Sequence, residues 1–247
     1  MAGKSKQPVG SQSSAGNALA AAPKTEHGSA SRLVKGDFVE FDFVGRIKGN
    51  GQIFDLSSEE IAKKEGVYRE GQKYGPAFAI IGKDMLIKGL DKNLEGKEIG
   101  KEYDFEIPVE DAFGQRNPQL VQLTNLSKFK EFRPVTGMQV NVDGLLATVR
   151  SVSGGRVTLD FNHPLAGKAL SYHVRVLRKI SDIAEKIKII CEKFAGLTIE
   201  VQAEGNKITV KAKTPEGKAL EKEMQAGLVA ELKKVIEDAK DKEIVFV

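Results

Sequence analysis

The side chains that most often carry covalent or metal chemistry are few in this chain. It has one cysteine and three histidines, and no pair of them stands at the spacing of a metal-ligand cluster. Cys191 falls within an apolar helical pattern, which is typical of a packed side chain. We interpret His163 as a structural residue that orients a hinge by hydrogen bonding. We therefore expect no metal site and no cofactor.

An acid beside aromatic residues is the remaining chemical feature. Phe54 precedes Asp55, Phe113 precedes Gly114, and the run Asn-His-Pro-Leu-Ala-Gly at 162–167 resumes their apolar pattern after a break of about forty residues. Taken singly, such aromatic residues usually pack in a core, and an acid at a strand end usually bonds local backbone. The split nevertheless predicts a pocket on the outer pieces and a second binding surface on the piece between them.

Alternating apolar and polar residues predict the strands that must position this pocket. The alternation covers 39–43, 103–107 and 170–176, and the apolar run 78–82 is typical of a buried strand. Leu86, Leu90 and Leu94 form one stripe of a short helix that Gly96 follows. Residues 57–76, which are polar and helix-prone around 59–65, predict an elaborated connection between two strands.

The interruption, residues 118–160, predicts a small all-β module of short strands. Its apolar residues exceed what so small a module can bury, so they either fill a tiny core or form an exposed groove for unfolded chain. Phe129 and Phe132 are the pair that we expect to be most exposed, since they stand among charged residues. The candidates for the groove are Leu120, Val121, Leu123, Leu126, Phe129, Phe132, Leu145 and Leu146.

Both ends of the chain differ from this middle part. Residues 1–31 lack aromatic residues and are rich in Ser, Gly and Ala, which predicts a disordered tail. Residues 181–247 predict an α-β-β-α-β domain, with Ser181 capping its first helix and Thr214-Pro215 beginning its second. Its last strand, 244–247, offers an edge, and our hypothesis is a homodimer formed through this domain.

Composition limits the partners. The formal net charge of the 247 residues is +4, with Lys and Glu interspersed, and this favours no nucleic acid. No apolar stretch reaches the roughly eighteen residues of a membrane span, and the start lacks the apolar core of a signal peptide. A single cysteine fits a reducing compartment. We expect a cytoplasmic protein.

The order of these motifs resembles the FKBP-type peptidyl-prolyl cis-trans isomerases. The resemblance rests on Phe54-Asp55, on the run from Gly82 to Gly100 and on Ala112-Phe113-Gly114. The run 162–170 after an all-β insertion is similar to the SlyD-like branch, whose members carry an insert-in-flap domain, and the C-terminal segment is similar to that of long archaeal forms. The resemblance implies an α+β fold in which an antiparallel half-barrel sheet surrounds a short helix. The implied isomerase domain is discontinuous, 32–117 plus 161–180, with the chaperone insert at 118–160 and the C-terminal α/β domain at 181–247.

The resemblance further implies rotation about X-Pro bonds in unfolded or nascent polypeptides. The catalytic residues would be Asp55, Ile87, Phe113 and Tyr172. The substrate-binding residues would be Phe43, Phe54, Leu86, Leu90, Ala112, Phe129 and Phe132.

This chain departs from the family pattern at three of these positions. Phe43 and Phe113 stand where many relatives have tyrosine, and Leu90 stands where eukaryotic members have tryptophan. The two missing hydroxyls predict modest catalysis and leave an alternative, a non-catalytic holding chaperone that binds unfolded chain through the insert. Retention of an acid beside an apolar cleft favours the isomerase. A scaffold for one folded partner has no motif in its favour.

Overall fold

The structure is a computed structural model that describes residues 32–247, so the predicted tail lies outside the described residues. Its strands are β1 (Phe38–Ile47), β2 (Ile53–Leu56), β3 (Ala77–Ile80), β4 (Glu102–Ile107), β5 (Val121–Asn125), β6 (Gln139–Val142), β7 (Leu145–Ser153), β8 (Arg156–Asp160), β9 (Leu170–Ile180), β10 (Thr198–Glu204), β11 (Lys207–Lys213) and β12 (Glu243–Phe246). Its α-helices are α1 (Glu59–Lys64), α2 (Lys88–Leu94), α3 (Ile183–Phe194) and α4 (Lys222–Val235). The expected α+β fold class is confirmed.

The first sheet, which we call the host sheet, is antiparallel and has the order β2-β1-β9-β4, with β3 also beside β1. Alternate residues of β9, from Leu170 to Val176, are buried as their pattern predicts. Helix α2 packs on this face and buries Leu90 and Leu94. The predicted stripe began one turn too early, because Leu86 precedes the helix, although it packs against the same core.

Residues 118–160, which we call the insert, form a separate sheet of order β5-β8-β7-β6. Asp143 and Gly144, both at positive φ, connect β6 to β7 in the tight turn that favours an Asp-Gly pair. The buried apolar cluster of the insert has five residues: Val140, Ala147, Val149, Val157 and Leu159. Several other large apolar side chains of the insert are exposed instead.

The C-terminal segment has the predicted α-β-β-α-β order, and its sheet has the order β10-β11-β12. Strand β12 lies parallel to β11, whereas β10 and β11 form a hairpin. Its core is continuous with the reverse side of the host sheet, since Phe38, Ile80 and Ile180 belong to the same buried cluster. The C-terminal domain is thus packed against the host sheet.

Two predicted helix starts in this segment are wrong. Asp182, not Ser181, caps α3, because its carboxylate accepts a hydrogen bond of 2.8 Å from the Glu185 N–H. Thr214-Pro215 does not begin α4, which starts at Lys222. The Thr214 hydroxyl accepts from the Lys218 N–H instead and closes a turn, the competing use to which a threonine side chain is suited.

No helix within residues 32–247 is long and apolar enough to cross a membrane.

Candidate active site

Three aromatic rings converge on one face of the host sheet. Phe43 of β1 and Tyr172 of β9 are diagonal neighbours in the ladder, with ring centroids 6.0 Å apart. Phe54 of β2 meets Tyr172 edge to face at 5.7 Å and 83°. All three are side chains of paired strands, so the sheet fixes their spacing.

Gly45 makes this convergence possible. It lies opposite Tyr172 in the β1–β9 ladder, and a Cβ added to it would stand 2.7 Å from Cζ of Phe54. The Phe54 ring therefore lies directly over a backbone that only glycine leaves open. Sequence reasoning missed Gly45, although a glycine inside an apolar strand is itself a signal of close approach.

Asp55 lies at the edge of the aromatic group, next to Phe54 on β2. Its Oδ1 accepts a hydrogen bond of 2.9 Å from the Leu56 N–H, and the residue keeps contact with solvent. Partial burial raises the pKa of the Asp55 carboxyl, and the Leu56 hydrogen bond opposes that rise. Burial, and secondarily the charge of Asp55, raises the pKa of the Tyr172 phenol, so the phenol keeps its proton at neutral pH.

Helix α2 and the turn before it close the site from another side. Ile87 caps α2 in an extended conformation, and its carbonyl accepts from the Leu90 N–H at 2.9 Å. Within residues 32–247 the Ile87 N–H makes no hydrogen bond, which leaves it available to a ligand. Gly89 lets α2 approach β4 closely, since a Cβ there would overlap Cγ2 of Ile107.

Phe113 follows a 3₁₀ turn after β4 and stacks on His163, with centroids 4.0 Å apart and rings inclined by 6°. Within residues 32–247 the His163 ring makes no hydrogen bond across the hinge, against the prediction, and its Nδ1 accepts locally from the Leu165 N–H. Asn162 makes two of the bonds between the two chain segments, since its side chain accepts from the Asn117 N–H and donates to the Asn117 carbonyl.

The predicted site residues divide into two groups. All of the predicted apolar residues outside the insert belong to, or pack against, one buried cluster. These are Phe43, Phe54, Leu86, Ile87, Leu90, Ala112, Phe113 and Tyr172. Phe129 and Phe132 lie in the insert, where their rings meet at 5.6 Å and line a cavity of about 530 Å³. Of this pair only Phe132 is exposed, whereas Phe129 is half-buried against the insert core.

The wider insert surface is apolar as well. Leu123, Leu145 and Leu146 expose 59%, 63% and 60% of their surface, and Leu120 is exposed too. Val121 and Leu126 are half-buried. Five of the eight candidate groove residues are thus exposed, as an open groove predicts. The other three are half-buried, and none of the eight is fully buried as a filled core would require.

Metal and thiol chemistry have no support in the described residues. Between residues 32 and 247 no three His, Cys, Asp or Glu side chains are placed to hold a metal ion. Burial raises the pKa of the Cys191 thiol to about 11, so it carries no thiolate near neutral pH. The groups that the structure brings together at the site are aromatic and apolar side chains, one carboxylate at their edge and a backbone N–H.

Sequence comparisons match this arrangement. Residues 29–127 match the profile described as FKBP-type peptidyl-prolyl cis-trans isomerase, and residues 119–165 match the FKBP26 IF domain. A short-type peptidyl-prolyl cis-trans isomerase of Methanocaldococcus jannaschii is 36% identical over 146 residues, which cover 58% of this chain and 92% of the relative.

Two bacterial relatives are similar over shorter stretches. The FKBP-type 16 kDa peptidyl-prolyl cis-trans isomerase of Escherichia coli strain K12 is 29% identical over 130 residues, or 50% of this chain and 85% of the relative. The FKBP-type peptidyl-prolyl cis-trans isomerase SlyD of Vibrio cholerae is 35% identical over 107 residues, or 41% of this chain and 53% of the relative.

Proposed function

We propose, on the premise that this chain belongs to the FKBP-type peptidyl-prolyl cis-trans isomerases, that it catalyses X-Pro rotation in unfolded polypeptides by removing water from the peptide bond. The observation that carries this mechanism is the meeting of Phe43, Phe54 and Tyr172 beside Asp55. Apolar side chains surround Tyr172, and one carboxylate lies at their edge.

The physical reason lies in the amide. Rotation breaks conjugation and costs about 18–20 kcal/mol without a catalyst. A twisted amide has less charge separation than a planar one, so an apolar cleft stabilises it relative to the ground state. Each 1.4 kcal/mol or so of this preference accelerates rotation about tenfold. Neither a nucleophile nor a metal is needed for this step.

Specific groups take specific parts in this proposal. The free N–H of Ile87 binds a substrate carbonyl, which fixes the chain while the proline ring turns among the aromatic side chains. Asp55 supplies the one charge at the rim. Phe43 and Phe113 contribute only apolar surface, because neither has a hydroxyl that could donate, and this predicts moderate rather than high turnover.

The insert adds a chaperone function. Its exposed Leu123, Phe132, Leu145 and Leu146 offer a surface to extended, unfolded chain. A polypeptide held there presents its X-Pro bonds to the cleft at a raised local concentration, without any new contact in the cleft itself. Unfolded and nascent chains are accordingly the proposed partners, and the single buried cysteine fits a cytoplasmic location.

The C-terminal domain supports a proposed homodimer. Among the described residues β12 pairs only with β11, so its other edge keeps backbone groups that a second copy can pair with. Sedimentation of the full chain and of Val245→Lys, a charge placed on that strand, tests this. We expect a dimer that the variant weakens, and a monomeric wild-type protein would refute it.

Two assays test the isomerase and chaperone functions together. Prolyl isomerisation of a short peptide and refolding of a proline-limited protein are compared for wild type, Asp55→Ala and a deletion of 119–160. We expect the substitution to slow both reactions and the deletion to slow refolding far more than peptide turnover. Equal losses from the deletion would contradict the division of labour. Absence of turnover by the wild type would favour the holding chaperone.

A further inference from the structure

A second cleft adjoins the proline site on the outer side of β2. We call it the tyrosine groove, and its volume is about 380 Å³. One wall is the stretch 52–56 and the other is the connection between α1 and β3. The residues lining it from that connection are Gly66, Val67, Tyr68, Arg69, Gln72 and Tyr74. No role follows for this groove from the isomerase chemistry itself.

The groove runs along the edge of β2. Five successive residues, 52–56, line it, although successive side chains of a strand point to opposite faces. Only a cleft beside the edge of the strand can contact all of them. Within the described residues β2 pairs with β1 alone, and the Leu56 N–H is already bonded to the Asp55 carboxylate. The rest of this edge can pair with another extended chain, which is the geometry of strand addition.

The opposite wall is held in place by its own contacts. Helix α1 ends at Lys64, and Gly66 follows its cap with a φ of 68° that reverses the chain, while the Val67 N–H bonds to the Ala62 carbonyl. The Tyr68 and Tyr74 rings stack at 5.5 Å and 18°, and the Tyr74 hydroxyl accepts from the Arg69 N–H at 2.9 Å. The wall is thus built before any ligand binds.

Two large side chains of this otherwise polar wall are exposed. Val67 and Tyr68 expose 37% and 44% of their surface to the solvent. Phe54 lines the groove and also packs in the aromatic cluster of the proposed proline site, so the two sites adjoin each other at this ring. A chain whose proline lies in the site has its flanking residues within reach of the groove.

We propose that the tyrosine groove binds the residues flanking the proline of the substrate polypeptide, in extended form along β2, and prefers a large apolar or aromatic side chain against Val67 and Tyr68. The stretch 52–56 accommodates about four substrate residues at 3.3 Å each. This inference rests on the proposed function. It makes the connection 57–76 a determinant of sequence preference outside the X-Pro pair.

The test compares peptides of two lengths on the full chain. A blocked Ala-Ala-Pro-Ala tetrapeptide is extended by four residues at its N-terminal or its C-terminal end, with one tryptophan or with alanine in the extension. Exchange NMR gives kcat/KM for each peptide. Because the protein has no tryptophan, fluorescence of the peptide reports its binding directly. We expect one tryptophan extension to raise kcat/KM about fivefold over its alanine match, through KM, which equals about 1 kcal/mol.

Substitution then assigns the gain to the groove. We expect Tyr68→Ala to bring the ratio of tryptophan to alanine peptides close to one, while Met224→Ala, an exposed apolar residue of α4, leaves the ratio as in wild type. Val67→Gln is a second variant in case Tyr68→Ala unfolds the connection, and thermal unfolding checks both.

The outcomes separate this inference from the proposed function. A wild type that turns over all peptides with equal kcat/KM overturns the groove and leaves the isomerase intact. A wild type that turns over none of them refutes the isomerase function itself. If Tyr68→Ala alters sedimentation of the protein and not the peptide ratio, the groove is a contact between copies, and the proposal is wrong.

Discussion

The host sheet and the insert treat their apolar residues in opposite ways. The host sheet brings Phe43, Phe54 and Tyr172 together on one face, where α2 and the loop at Phe113 pack in the same cluster. The insert has a small core and leaves Leu123, Leu145 and Leu146 in solvent. A rigid cleft suits one chemical group in one geometry, whereas an open surface suits chains of many sequences.

Size explains much of this contrast. The long strands β1 and β9 pair over most of their length, so both faces of the host sheet find a partner layer. The insert has four strands of at most nine residues and no α-helix to cover them. A module of this size buries a smaller share of its surface. Its exposed apolar residues follow from that geometry and provide its proposed function.

The largest expected difference between the two regions comes from a substitution that displaces Phe54 in the proline site and leaves the insert unchanged. Gly45→Ala places a Cβ against Phe54, so we expect peptide turnover to fall about tenfold or more and the free energy of unfolding to fall by about 1–3 kcal/mol. Binding of an unfolded protein by the insert remains. Gly227→Ala is the matched control, because nothing lies within 4 Å of its added Cβ inside α4. Unchanged turnover in Gly45→Ala would show that Phe54 does not shape the site.

The strands of the host sheet could mostly be predicted from the sequence, but the register between them could not. The alternating apolar residues of 39–43, 103–107 and 170–176 all pack in the cluster on the α2 side of the sheet, so the period alone reveals these strands and their inward residues. The role of Gly45 depends on a bulge in the register between Gly45 and Arg46, which brings Phe54 across it. That register is set by pairing between separate segments of the chain, and the periodicity within one strand does not predict it.

The start of α4 and the tyrosine groove could not be predicted from the sequence, for different reasons. Thr214 before Pro215 is typical of a helix cap, but its hydroxyl accepts from the Lys218 N–H instead. Residues 214–218 form a hydrogen-bonded turn, so no helix begins there. Tyr68 and Tyr74 belong to no periodic pattern at all. Their stacking depends on how Gly66 reverses the chain after α1, and their relevance depends on the nearby edge of β2.

The joint between the two regions offers the next largest effect. Asp160 is 2% exposed, accepts hydrogen bonds from the backbone and side chain of Asn162, and forms an ion pair with Arg116. We expect Asp160→Ala to lower the free energy of unfolding by about 2 kcal/mol, because these donors lose a charged acceptor. Refolding catalysis should fall more than peptide turnover, since the insert loses its fixed orientation.

Denaturant unfolding and the two assays measure these changes. Asp241→Ala, which removes an exposed carboxylate, is the control and should leave all three unchanged. If Asp160→Ala slows peptide turnover as much as refolding, the joint supports the cleft itself, and the comparison between two separate regions must be abandoned.

The insert surface can be altered without its core. The double substitution of Leu145 and Leu146 by serine removes two exposed side chains, so stability should change by less than about 0.5 kcal/mol. We expect affinity for an unfolded protein to fall about fivefold, as lost apolar contact requires. Val34→Ser, on an exposed apolar residue outside the insert, is the control. Affinity equal to wild type in a titration would remove these leucines from the binding surface.

The smallest effect concerns the charge of the cleft. Burial raises the pKa of Asp55 in the folded state, so its ionised form is less stable there than in the unfolded chain. The protonated carboxyl therefore contributes stability relative to the ionised one. This contribution is complete below the pKa that Asp55 has in the unfolded chain, and it is lost as the pH rises through the pKa that Asp55 has in the folded state. We therefore expect Asp55→Asn to gain slightly in stability at pH 7 relative to wild type, with no gain at pH 3, in paired denaturant titrations. Turnover should fall, whereas binding by the insert stays constant over the same pH range. A variant that loses stability at pH 7 would mean that the carboxylate stabilises the fold and is not held there for the reaction.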